Sequence, residues 1–451
     1  VTVEHSELYV TADPGLRRLG GGRLLIGGSP LRVLKVSEAG ARLIDGWLNG
    51  EQVAPRPRHR ELVGRLIRAG MVHPRYRRDA SLPVTVVVPV KDHAASLERL
   101  LATVDAEVIV VDDGSVEPLA EATIRHAEPR GPAAARNAGW RKVGTEIVAF
   151  LDADAVPEPG WLEPLLAHFA DPAVSAVAPR VRSVPGKSTL ARYEESQSSL
   201  DLGGKPAIVQ PGSTVSYVPS AALLVRTDVL DDYGGFDEQL RFGEDVDLIW
   251  RLVAAGEQVR YEPSSVVRHE PRNGWRRWLR QRFEYGTAAG PLAKRHGPAI
   301  TPVRMSVWSA LSWAAVAAGA PKLGVATAVV SAALLPRKLA SSGVPTVEAL
   351  RLAASGHLGA GRLLAEALTR TWLPLVLPVL ATRRGRLLLA AAAARHLVDW
   401  QRERPAVDPV RWCLARIADD AAYGAGVCWG SWRARTLLPL LPELSGLPGK
   451  R

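Results

Sequence analysis

Cysteine is nearly absent: Cys413 and Cys428 are the two in 451 residues, and no C-x-x-C pair occurs. That excludes a disulfide framework and points to a reducing cytosol. The opening residues Val1-Thr2-Val3-Glu4-His5 carry neither a basic n-region nor an apolar h-region, so no secretory signal is expected there. The initial valine, with the richness in Ala, Arg, Gly and Pro, fits a GTG start in a GC-rich bacterial genome. Long uncharged runs are also scarce. Residues 305–321 give 17 in a row, and residues 323–336 follow after Lys322. Each run is at or below the length needed to span a bilayer. Acidic residues thin out toward the end: residues 301–451 hold 19 Lys/Arg against 8 Asp/Glu, whereas residues 1–300 hold 38 of each. The net charge of +11 therefore belongs to the last third, which also carries seven of the 13 tryptophans, Trp308, Trp313, Trp372, Trp429 and Trp432 among them. Cationic, Trp-bearing apolar segments favour an anionic membrane surface. Nucleic acid is not expected as a partner, because long Ala/Leu stretches separate the basic residues.

What is present is a large apolar content, 47%, in a chain long enough for two or three domains. Residues 1–80 read as a small α+β module. Leu24-Leu25-Ile26 and Leu31-Arg32-Val33-Leu34 flank a Gly27-Gly28-Ser29-Pro30 turn, Ser37 caps a helix start, and helical spacing at Leu62, Val63, Leu66 and Ile67 ends at Gly70. Met71-Val72-His73-Pro74 follows as a strand, and Arg75-Tyr76-Arg77-Arg78-Asp79 as a linker. Residues 81–300 alternate short Val/Ile runs (84–90, 108–111, 147–151, 174–178) with helical stretches, which predicts an α/β domain with a parallel sheet covered on both faces. Residues 301–451 read as helical, either lying at an interface or packed on the catalytic domain, with buried core helices as the alternative.

The chemistry gathers at strand and helix ends. Phe150-Leu151-Asp152-Ala153-Asp154 is an apolar strand that stops in two carboxylates one residue apart. A doubly wound sheet places its ligands at such ends. One carboxylate can hold a metal while the other meets a ribose hydroxyl or a metal-bound water; an ordinary polar turn before Pro157 and Pro159 is the plainer alternative. Asp112 and Asp113 end the strand before Gly114 and Ser115, where a carboxylate can accept from the imide N–H of uracil or simply cap an Asx turn. Arg136-Asn137 lies in a helix N-terminus that could serve a nucleotide diphosphate or only brace the D-x-D loop. Glu244 and Asp245 open a further helix, as N-terminal anions or as a base. Gly234 and Gly235, before Phe236-Asp237-Glu238, suggest an acceptor-side loop whose glycines admit a ligand closely. His269 is a candidate third metal ligand. Arg268, Arg272, Arg276, Arg277, Arg280 and Arg282 form a basic run that could face diphosphate or solvent. Metal-bound diphosphate, base pocket and general base together are what sugar transfer from a nucleotide donor requires, with Mg²⁺ or Mn²⁺ as the ion. A non-catalytic scaffold is the alternative from another class, and three intact carboxylate clusters argue against it.

These motifs, with Val84-Thr85-Val86-Val87-Val88-Pro89-Val90-Lys91 and Gly131-Pro132-Ala133-Ala134-Ala135-Arg136-Asn137, resemble the family-two glycosyltransferases of GT-A fold over about residues 83–290. The resemblance implies a Rossmann-like catalytic domain that inverts the anomeric centre. It implies a UDP-sugar donor at Pro89, Asp112, Asp113, Arg136 and Asp152, metal on Asp152, Asp154 and His269, and catalysis at Asp245 with Glu244. Residues 1–80 resemble a winged-helix module of the PqqD type, which grips a pathway peptide or protein. The whole order, with the Trp278–Thr287 segment and the Ala/Leu/Trp-rich tail, is similar to the mycofactocin-system glycosyltransferases of actinobacteria. That similarity implies glucose transfer to a peptide-derived redox cofactor, with a polyprenyl-phosphate or cell-wall glycan as the alternative acceptor. No Q-x-x-R-W string is present, so a processive membrane-channel synthase is not expected.

Overall fold

The computed structural model describes residues 7–77, 82–272 and 274–446. The readings placed on residues 1–5, 78 and 79 fall outside these. The described residues form two compact units, one of residues 1–186 and 197–271, the other of residues 187–196 and 272–451.

The first unit begins with an α+β module. Strand β1 (Glu7–Ala12) is followed by a three-stranded antiparallel sheet of β2 (Arg17–Leu19), β3 (Leu24–Gly27) and β4 (Arg32–Lys35), in which β4 is an edge. Helix α1 (Glu38–Leu48) starts where Ser37 accepts a hydrogen bond from the Gly40 N–H at 3.1 Å, as its N-cap spacing predicts. Helix α2 (Pro57–Arg68) buries Val63, Leu66 and Ile67 against Ile44 and Trp47. Strand β5 (Val72–Arg77) then pairs antiparallel with β1. The expected linker is corrected here: Arg75, Tyr76 and Arg77 are strand residues opposite Tyr9, Leu8 and Glu7. Their charges resemble a linker in sequence, yet they fit a strand whose outward positions stay in water. Tyr76 also reaches Asp171 at 3.3 Å, and Gln210 donates to the Ser29 carbonyl at 2.6 Å, so the module packs on the catalytic sheet.

That sheet has nine strands. Strand β6 (Val84–Val90) is followed by α3 (Ala94–Leu101), β7 (Glu107–Asp112), β8 (Ile124–Arg125), α4 (Pro132–Trp140), β9 (Ile147–Leu151), β10 (Ala155–Pro157), α5 (Leu162–Leu166) and β11 (Val174–Ser183). Helix α6 (Thr189–Gln197) comes next, and then β12 (Ala207–Val209), β13 (Ala222–Arg226), α7 (Thr227–Tyr233), α8 (Glu244–Ala254) and β14 (Gln258–His269). The order is β10-β14-β11-β13-β9-β6-β7-β8, with β12 also paired to β14. The expected parallel sheet is in fact mixed. Strand β13 runs antiparallel to both β9 and β11, and β14 runs antiparallel to β10 and β12. Buried apolar runs reveal burial on both faces but not strand direction. The first strand, β6, lies between β7 and β9 and is parallel to both, so the loops leaving those neighbours open a crevice at their carboxyl ends.

The second unit is mostly helical and takes in residues 187–196 and 272–300 besides the segment from 301 on. After α6 come α9 (Trp275–Thr287), α10 (Ala289–His296), the short strand β15 (Arg304–Ser306), α11 (Val307–Ala317), α12 (Pro321–Leu339), α13 (Thr346–Thr369), α14 (Leu373–Val376), α15 (Arg383–Glu403), α16 (Pro409–Ala434) and β16 (Glu443–Ser445). Helices α9 and α16 cross at glycines. A Cβ on Gly286 would lie 2.2 Å from the Tyr423 carbonyl oxygen. Gly286→Val should therefore cost about 1–3 kcal/mol or more by overpacking, because the obstacle is backbone. The check is the melting temperature, and an unchanged value would refute the close-crossing account.

Candidate active site

The crevice is built from four chain ends. At the end of β7, Asp112 is fully buried and accepts from the Ser115 N–H at 2.8 Å and the Leu119 N–H at 3.4 Å, and it pairs with Arg125. Burial opposes its charge, but these hydrogen bonds and Arg125 prevail and hold its pKa below the usual carboxylate value. Asp112 thus braces the turn. Asp113 accepts from the Arg130 and Gly131 N–H groups, each at 2.8 Å, and pairs with His126 Nδ1 at 2.7 Å. The Gly131 bond falls on Oδ2, leaving that oxygen a further lone pair, the kind of acceptor an imide N–H needs. Pro89 stands in β6 directly beside Val111, one residue from the Val90–Asp112 pair.

Strand β9 delivers the second end. All five of its residues are buried, and the chain turns at once, with Asp152 N–H donating to Ala221 at 3.0 Å and Ala155 N–H donating to Asp152 at 2.9 Å. Strand β10 then runs antiparallel to β14 with Ala155 opposite His269. This pairing brings His269 Nε2 to 3.1 Å from Asp154 Oδ1. One ligand atom each from Asp152, Asp154 and His269 lie within 4.8 Å of one another. Two carboxylates and an imidazole are a donor set that suits Mg²⁺ or Mn²⁺, so the residues present fit a divalent ion.

The third end is the start of α8, and α4 joins it to the second. Arg136, 3% exposed, donates to Glu244 at 2.9 Å and to Asp152 at 2.7 Å. Burial works against its charge, but Asp152 and Glu244 outweigh that and raise its pKa. Its guanidinium is engaged with protein carboxylates, which favours the brace over direct contact with the donor. Glu244 is buried, whereas its neighbour Asp245 is partly exposed and accepts from the Ser220 N–H at 3.3 Å. Ser220 and Ala221 therefore tie the two carboxylate motifs together through the backbone.

Asn137 pins the fourth piece. It donates to the Phe236 carbonyl at 2.7 Å and to Glu238 at 3.0 Å, and accepts from the Phe236 N–H at 3.0 Å. The expectation that Gly235 admits a ligand closely is corrected here. Its φ is +67°, and a Cβ would lie 2.7 Å from both Asn137 Oδ1 and Trp140 Nε1. The glycine lets the loop close on α4. Of the basic run, Arg268 pairs with Glu158 at 2.7 Å, and Arg282 is buried beside Glu194 and Asp419.

The glycosyl transferase family 2 profile matches residues 85–234. The Pre-mycofactocin glycosyltransferase of Mycobacterium tuberculosis is 40% identical over 462 residues, covering 96% of this chain and 97% of that one. The chain belongs to this glycosyltransferase family. Glycosyltransferase AglE of Haloferax volcanii is 28% identical over 229 residues, 46% of this chain and 73% of its own. A solved structure, the mannosyltransferase PcManGT from Pyrobaculum calidifontis in complex with GDP-Man and Mn²⁺, is 20% identical with a TM-score of 0.44, covering 78% of this chain and 88% of that one. The residues matched to family 2 run through the sheet of this glycosyltransferase from β6 to β13.

Sequence reasoning missed four partners in this glycosyltransferase: His126 on Asp113, Arg125 on Asp112, Arg130 on Glu238 and Glu244 on Arg136. None has a local signal, because each depends on two loops meeting. Burial, and then Asp245, raises Glu244 to about 7, and burial also raises Asp245. A base acts only when deprotonated, and Asp245 is raised above the usual carboxylate value, so transfer at saturating donor and metal should fall on the acid side and level off as pH rises. Folding follows the opposite sign. Between the ordinary value of 4.5 and about 7 the folded chain keeps on Glu244 a proton that the unfolded chain has lost, so the contribution of Glu244 to stability falls as pH rises through that window. A rate flat from about pH 5 to about pH 9 would rule out a base with this environment.

Proposed function

We propose that this glycosyltransferase moves a hexose, glucose by its family resemblance, from UDP to pre-mycofactocin with inversion at the anomeric carbon. The observation that carries the reading is the Arg136 bridge. It holds the D-x-D carboxylate and the Glu244-Asp245 pair in one crevice while Asp245 stays accessible. Asp113 accepts from the uracil imide beside Pro89. Asp152, Asp154 and His269 hold Mg²⁺ or Mn²⁺, which when bound neutralises the charge gathering on the departing diphosphate. Asp245 takes the proton from the acceptor hydroxyl as that oxygen bonds to the anomeric carbon and the bond to the diphosphate oxygen breaks. Glu244, buried against Arg136, positions the pair and does not touch the substrate.

The acceptor is tested by mass spectrometry of small-molecule extracts from cells with and without the gene. Loss of a ladder spaced by one hexose on a peptide-derived compound is the expected result. Loss of a lipid-linked sugar would instead favour a polyprenyl-phosphate acceptor, a second reading supported by the exposed apolar side chains of the helical unit.

The N-terminal module recruits a pathway peptide or protein by strand addition along β4, the edge of its sheet, next to Leu31, which is 59% exposed. Removing residues 1–80 should weaken acceptor affinity while donor hydrolysis persists. Aggregation would favour a purely structural cap, and full activity on the natural acceptor would refute recruitment.

A further inference from the structure

Among the described residues, every strongly exposed large apolar side chain except Leu31, Val116 and Trp275 lies beyond residue 300. Within that unit α12, packed between α11 and α13, has its polarity turned inside out. On α12, Leu323, Val325 and Val329 are each 61% exposed, and Val330 and Leu334 extend the same outward face. The inward side is small and polar. His357 of α13 accepts or donates to Ser309 of α11 at 3.1 Å and to Ser331 of α12 at 2.6 Å, while Trp313 Nε1 donates to the His357 carbonyl at 2.8 Å. Gly324 packs on the Ser312 carbonyl, where a Cβ would lie 2.6 Å away, and Gly361 packs on the Trp313 ring.

A helix surrounded by water buries its apolar stripe and shows its polar one. Here the reverse holds, which is how helices associate in hydrocarbon: small residues let them approach, and polar side chains bond one another inside. The length agrees. Separately, the uncharged runs of the sequence are too short to span a bilayer, but in the structure the helical segment Pro321–Ser342 continues for 22 residues, and only 6% of its apolar stretch is buried. At 1.5 Å per residue this is about 33 Å, of which about 21 Å lies between Lys322 and Arg337, whose long side chains can reach from there to the headgroups. An equally apolar core helix of a water-soluble domain is covered by its neighbours, and this one is not. Lys322 marks one end and Arg337 with Lys338 the other, with Arg383, Arg384 and Arg386 at the start of α15 and no acidic residue between 321 and 347. That distribution complements anionic headgroups.

We infer that α12, steadied by α11 and α13, inserts into the hydrocarbon of an anionic lipid bilayer. The inference is independent of which sugar or acceptor the enzyme uses.

The test is flotation of the purified full-length chain with vesicles of phosphatidylcholine and phosphatidylglycerol. The protein should float with the vesicles and stay with them through both high salt and alkaline carbonate. Val329→Asp or Leu334→Asp should lower the lipid-to-water partition ratio about a hundredfold, since each sets a carboxylate mid-helix. Val410→Asp, at an exposed apolar position on α16, should leave it unchanged. Circular dichroism melting verifies that each variant folds. If an aspartate variant does not fold, Val329→Cys combined with Cys413→Ser and Cys428→Ser supplies the answer, because labelling by a charged maleimide should drop when vesicles are added. Release by salt alone, unchanged labelling, or a lipid-free dimer that Val329→Asp dissociates would each overturn insertion, the last in favour of a second copy covering α12.

Discussion

Asp245→Asn should lower sugar transfer by about a thousandfold or more while leaving UDP binding intact. The substitution keeps the shape of the side chain and an oxygen for the Ser220 N–H, but removes the lone pair to which the proposed mechanism assigns the acceptor proton. Because Asp245 is partly exposed and its neighbour is not, the two carboxylates should respond differently. Glu244→Gln removes the charge that faces Arg136, so its effect should come through a shifted Asp152 and show in donor affinity as well as turnover. Kinetics of both variants, with calorimetry for UDP, separate the roles. Near wild-type transfer by folded Asp245→Asn would sink the assignment of the base.

The second large effect concerns the ion. Asp154→Ala should abolish the dependence of UDP binding on Mn²⁺ and lower transfer by about a thousandfold, as expected when preorganised charge opposite a leaving diphosphate is lost. His269→Ala should be milder, raising the metal concentration for half-maximal activity by about tenfold or more, because two carboxylates remain. Chelation should silence the wild-type enzyme, and added Mn²⁺ or Mg²⁺ should restore it. Full activity after exhaustive chelation would show that Asp152, Asp154 and His269 serve some other purpose, such as a structural His–carboxylate pair closing β10 on β14.

Much of this site could be read in order along the chain. Apolar runs that stop abruptly in Asp112 and in Asp152 locate strand ends, and those ends do lie at the crevice beside β6. Ser37 as a helix cap and the hairpin of β3 and β4 are equally local and came out as their residues predict. Strand direction was not legible, since the side-chain pattern of a doubly buried strand is the same either way, and β13 turned out antiparallel. Neither was the commitment of Arg136, whose role depends on two carboxylates from other elements.

Residue order alone sets the chemistry available: three acidic clusters at element ends, a histidine, a basic Trp-rich tail and almost no cysteine. Local spacing suffices for that, because caps, turns and strand ends involve residues a few positions apart. The tertiary structure decided which of these groups meet. It placed His269 against Asp154 through the β10–β14 pairing, and divided Glu244 from Asp245 by burial. It also turned the apolar face of α12 outward around a Ser309–His357–Ser331 centre. Contacts between distant segments depend on how whole elements pack, and no short window of sequence contains that information.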